Sequence, residues 1–126
     1  MMAASILGLA GTSAAAADDP LAPYRWKARL LVLSAPAEAD PRVAAQRALI
    51  AGVRAELKER DLVVLEALGA EGSALRRRFA LPADAFRAVL VGKDGEAKIV
   101  AAEPIPIRTL FETIDAMPMR RDEMRR

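Results

Sequence analysis

Leu30–Gln46 reads LLVLSAPAEADPRVAAQ. The run Leu30–Leu33 is apolar without alternation, which predicts a strand covered on both faces. Ser34-Ala35-Pro36 ends it, because proline removes a ladder donor. Asp40-Pro41 then opens a helix, with a carboxylate at the N-cap and proline where a missing N–H costs nothing. In α/β folds, the loop between a central strand and a helix N-terminus is where ligands and nucleophiles sit. Here that loop offers Glu38, Asp40 and Arg42, with Gln46 a turn further on, and no thiol, imidazole or serine-based constellation.

Working outward, Asp40–Arg60 is predicted to be one helix. Val43, Ile50 and Leu57 repeat every seven residues with Leu49 and Val53 beside them, and Glu56 with Arg60 forms an i,i+4 pair. Asp61–Leu68 is a second buried strand. Strand, helix and strand make a βαβ unit, so the two strands should be parallel with a right-handed crossover. Ser73–Phe79 is a short helix carrying Arg76-Arg77-Arg78, a run that fans around a helix and makes no single patch. Phe86–Gly92 and Ala97–Ala101 are strands joined through Asp94-Gly95, a dipeptide typical of type I′ hairpins. Lys93-Asp94-Gly95 is turn chemistry, lacking the length and spacing of a phosphate loop. Ile107, Leu110, Phe111, Ile114 and Met117 form the stripe of a last amphipathic helix. The tail Met119–Arg126 is expected to be a solvated end. Ahead of the first strand, Trp26 is expected to cover the core edge with its N–H bonded.

The order β-α-β-α-β-β-α defines an α/β, thioredoxin-like chain: a four-stranded mixed sheet with helices on both faces. Four stretches narrow this. They are Pro20–Leu31 (PLAPYRWKARLL), Arg60–Leu65 (RDLVVL), Leu90–Gly95 (LVGKDG) and Ile114–Arg121 (IDAMPMRR). Through them the chain resembles a bacterial, peroxiredoxin-like family of unknown function. It is also called the DUDES family, with relatives in animal extracellular proteins, some carrying sushi repeats. The resemblance implies a thioredoxin-like fold and export, and leaves the activity open. Peroxiredoxin chemistry needs a thiolate near the first helix. This chain has Ala37-Glu38-Ala39-Asp40 there and Cys 0 overall, so it cannot perform thiol redox catalysis alone.

Composition sets further bounds. The 126 residues suit one domain, and 19 basic against 17 acidic residues leave a net charge of +2, which demands no nucleic acid. His 0 removes imidazole catalysis and the usual zinc sites. Residues 1–17 read as a signal peptide: Ile6–Ala10 is apolar, and Ala15 and Ala17 stand at −3 and −1 before Asp18-Asp19-Pro20. Residues 18–126 are then a single periplasmic or extracellular domain without a stable membrane span.

Three functional readings follow. The first is a non-catalytic binding or scaffold domain, with Glu38, Asp40, Arg42 and Gln46 as the candidate surface. Its partner would be another protein, a small anionic ligand, or a second copy paired through an edge strand to give a homodimer. No cofactor is implied. The second is an enzyme that uses Glu38 and Asp40 as acid and base instead of thiol or imidazole. The third is a weak Cu(I) binder through the thioethers of Met117, Met119 and Met124.

Overall fold

The computed structural model describes residues 19–126, so the stretch read as a signal peptide lies outside the described residues. Strand β1 (Arg29–Ala35) is buried along its whole length, as its unbroken apolar run requires. It pairs in parallel with β2 (Leu62–Leu68), Leu31 opposite Val64, and antiparallel with β3 (Arg87–Val91), Val32 opposite Val89. β4 (Ala97–Ala101) pairs antiparallel with β3, giving a four-stranded mixed sheet in the order β2-β1-β3-β4. This is the thioredoxin-like arrangement.

Alternation along β1 divides the core. Leu31 and Leu33 face the cluster that includes Val43, Ile50, Leu57, Leu110 and Ile114. Leu30 and Val32 face the other side, against Leu21 and Val89, with Leu75 and Phe79 packed on them. Helices α1 (Pro41–Ala51), α2 (Arg54–Glu59) and α4 (Ile107–Asp115) therefore cover one face, and α3 (Ser73–Phe79) the other.

Three expectations need correction. The helix expected over Asp40–Arg60 is two helices, because the backbone leaves the helical region at Val53 (φ −133°, ψ 32°), next to Gly52. Glycine and a β-branched residue together are poor helix formers. The bend still leaves Ile50 and Leu57 in the same core. The Asp94-Gly95 hairpin forms, but only Gly95 takes a positive φ, +85°. Its N–H donates to Gly92 at 2.9 Å, so a turn over Gly92–Gly95 ending in a left-handed glycine replaces type I′.

The third correction concerns the C-terminus. Pro118–Arg125 is a helix, α5, not a loose tail. Met117 is extended (φ −70°, ψ 139°), as a residue before proline tends to be, and Pro118 begins the next helix. What docks α5 is charge, and an apolar stripe cannot reveal that. Among the described residues no helix is long and apolar enough to cross a membrane.

Candidate functional site

Where β1 begins, side chains from distant parts of the chain converge. Arg29 opens the strand and is 0% exposed. Its two terminal nitrogens donate to the two carboxylate oxygens of Glu123 on α5, each at 3.1 Å, and Nη1 also reaches the Arg60 carbonyl at 2.9 Å. Lys93, from the β3–β4 turn, donates to Glu123 at 2.8 Å and to Asp61 at 2.9 Å. A hairpin-tip lysine is expected to be solvated; this side chain is only 9% exposed.

A second group adjoins the first. Asp115, the last residue of α4, accepts from Arg60 (2.9 and 3.1 Å) and from Arg120 (3.0 Å). Arg120 also reaches the Glu59 carboxylate at 2.9 Å. The Arg60 guanidinium stacks 3.9 Å from the Phe111 ring centroid, which adds a cation–π contact. The i,i+4 pair expected between Glu56 and Arg60 is displaced: the Arg60 side chain turns to Asp115 and takes only the Glu56 backbone carbonyl. The planar fork of Arg29 on Glu123 fixes both orientation and distance and, with Arg120 on Asp115, seats the polar helix α5 against the sheet and α4.

The electrostatics follow from this pairing. Burial alone would push the Glu123 carboxyl up, but hydrogen bonds from Arg29 and Lys93 outweigh it and hold the group below its ordinary value. Asp115 behaves alike, burial being overcome by Arg60 and Arg120. Burial opposes the charge on Lys93, yet Glu123 and Asp61 raise its pKa. All three groups are therefore held charged. A general acid needs a carboxyl kept protonated near neutral pH, and the cluster does the opposite.

Beside the cluster lies a hollow of about 250 Å³. Trp26, Met117, Pro118 and Met119 form its apolar walls, and Arg29, Lys93 and Lys98 line it against the single carboxylate of Asp94. Trp26 stands at φ +67°, an uncommon conformation for an aromatic residue, tied by its backbone N–H to the Lys93 carbonyl at 2.6 Å. Its ring is not the closed lid expected from the sequence, being 62% exposed. Arg29 Nε is buried and has no hydrogen-bond partner among the described residues.

The loop after β1 is arranged differently. Asp40 caps α1, accepting from the Arg42 N–H at 2.9 Å. The Arg42 side chain turns away to Glu103 at 3.1 Å. Glu38 is exposed, 3.6 Å from Arg47, whose guanidinium is shared with Glu66. Gln46 is buried, and its amide is used on the Ile105 backbone, donating to the carbonyl at 3.1 Å and accepting from the N–H at 2.6 Å. The four residues thus turn to four different partners, and Gln46 presents nothing to solvent.

The family model described as Domain of unknown function (DUF4174) matches residues 20–123. The chain belongs to this family. The match takes in every member of the cluster, from Arg29 to Glu123. The stretches PLAPYRWKARLL, RDLVVL, LVGKDG and IDAMPMRR supply Arg29, Arg60 with Asp61, Lys93, and Asp115 with Arg120. Residues from all four stretches are therefore gathered at one end of the sheet, opposite the loop that follows β1. That clustering was latent in the motifs. Apart from Asp115–Arg120, the hydrogen-bonded carboxylate pairings span 30 to 94 positions, and such pairings carry no periodic signal that would have revealed it.

Proposed function

We propose that the chain is an exported, non-catalytic binding domain, and that its ligand site is the hollow between Trp26, Arg29 and Met119. One observation carries this: the wholly buried Arg29 lines a hollow whose walls also include Trp26, Met117 and Met119. Arg29, Lys93 and Lys98 line the hollow, each already paired with Glu123 or Asp94, so an anionic group would share these cations, and the tryptophan and methionine walls favour an apolar body. The ligand class is a compact aromatic or aliphatic acid or phosphate ester. Export is supported by the small residues Ala15 and Ala17 ahead of Asp18, and by the resemblance to a family with extracellular relatives.

A soft-metal reading has one observation in its favour, since Met117 and Met119 line the same hollow. The cations around them oppose a bound Cu(I), which makes an anion the better occupant. Catalysis through Glu38 and Asp40 as acid and base has against it that Asp40 caps α1 and Glu38 turns to Arg47.

Trp26 is the only tryptophan, so its fluorescence reports directly on the hollow. Titration with phenyl phosphate and with benzoate should give a saturable change, absent with benzyl alcohol and lost in Met119→Glu, which places a carboxylate at the mouth. A flat response to both anions removes the site. An equal response to benzyl alcohol removes the role of charge.

A further inference from the structure

β2 is the outer strand of the sheet, and among the described residues no strand pairs with its open side. Such an edge presents backbone donors and acceptors that proteins ordinarily blunt with lysine, proline or a bulge. Leu62-Val63-Val64-Leu65 has none of these, and Val63 is exposed.

Three hollows run beside this strand and share walls. The first, about 470 Å³, shares Arg54, Leu57 and Val64 with a second of about 300 Å³, which shares Glu66 with a third of about 390 Å³. Charge along this trough is sorted. Lys27, Arg54 and Lys58 line the Leu62 end against Asp61, whereas Glu38, Glu66 and Glu71 line the Leu68 end, where Arg47 bridges Glu38 and Glu66.

Sorted charge of this kind complements itself under one operation: a two-fold axis that runs a second β2 antiparallel to the first. A parallel neighbour would set like charges side by side. We propose that the chain forms an isologous dimer in which β2 pairs antiparallel with β2 of a second copy, joining two four-stranded sheets into one of eight strands. Arg76 already uses the Ala67 and Gly69 carbonyls, so the pairing is placed on Leu62–Glu66, roughly 17 Å of strand. Centred on Val64, this register sets Leu62 across from Glu66 of the second copy. The Leu68 end of one copy, with Glu38 and Glu71, then faces the basic end that Arg54 and Lys58 provide in the other. The surface lies on the outer strand and does not depend on the hollow beside Arg29.

Sedimentation equilibrium of the full chain at low salt should show a monomer–dimer equilibrium that weakens as salt rises. Glu38→Lys with Glu71→Lys makes both ends basic, and Arg54→Glu with Lys58→Glu makes both ends acidic. These residues are exposed, and unchanged circular dichroism verifies that each variant folds. Each double variant alone should dimerise about tenfold more weakly or worse, and an equimolar mixture should recover a heterodimer. A wild-type chain that stays monomeric at millimolar concentration overturns the proposal. So does a dimer that neither double variant weakens, or a mixture that does not recover. Pairing with a different protein at this edge would leave the wild type monomeric and counts against it as well.

Discussion

Glu123 on the last helix reaches back 94 positions to Arg29 at the start of β1, and both of its oxygens accept from that guanidinium at 3.1 Å. The same carboxylate takes Lys93. One side chain therefore ties α5, β1 and the β3–β4 turn together. Glu123→Ala leaves two buried cations short of their shared partner. Removing one side of a wholly buried pair costs about 3–5 kcal/mol. Because the Glu123 side chain is 20% exposed, a loss nearer about 2 kcal/mol is expected. Urea denaturation measures it, and hydrogen exchange should show α5 opening before the sheet. Replacing both partners, Arg29→Met with Glu123→Leu, should cost less than the sum of the single changes. Additive losses would mean that the pair does not couple.

Acid should release the same helix. Glu123 and Asp115 both lie below their ordinary values, because their cationic partners outweigh burial. A depressed carboxylate stabilises fully above its unfolded value, about 4. That stability is lost as pH falls through the lower folded value, where the unfolded chain binds more protons. Urea midpoints should therefore hold from neutral pH to about pH 5 and fall steeply below about pH 4. Glu123→Gln with Asp115→Asn should flatten the slope. An equal acid slope in that variant would place the titration elsewhere.

The strands were legible because LLVL and LVVL are unbroken apolar runs, and the crossover rule then allowed little choice of topology. The start of α1 was legible as well, because Asp40-Pro41 announces a capped helix. α5 was not legible as a helix. PMRRDEMR has no apolar stripe, and its stability comes from Arg120 and Glu123 finding Asp115 and Arg29 in space. Gln46 was misleading for a related reason. One turn past a helix start it reads as a surface amide, and only the path of a distant segment decides that it is buried.

That segment is Pro104-Ile105-Pro106. Its two prolines supply no N–H, and the one donor between them, at Ile105, is met by Gln46, which also serves the Ile105 carbonyl. Gln46→Leu preserves bulk but strands both backbone groups in the core. Unpaired buried groups cost about 1–3 kcal/mol each, so a loss of about 3 kcal/mol is expected in thermal or urea unfolding. A variant as stable as the wild type would mean that the segment finds other partners.

Ser34 presents the opposite case. It sits near the end of β1, opposite Ala67 on β2 and Arg87 on β3, and is fully buried. Its Oγ has no hydrogen-bond partner among the described residues. Leu33 and Ala35 beside it and Ala67 across from it are apolar, so the hydroxyl is desolvated without compensation. Alanine at this position fits the same backbone and removes only that oxygen. Ser34→Ala should therefore stabilise the fold by about 1 kcal/mol, visible as a higher urea midpoint at unchanged m-value. The small void left behind opposes this gain, but one oxygen atom is worth less in packing than an unmet hydroxyl costs. A destabilised Ser34→Ala would show that the hydroxyl is in fact satisfied by a buried water, and that this end of the strand is wetter than its apolar neighbours imply.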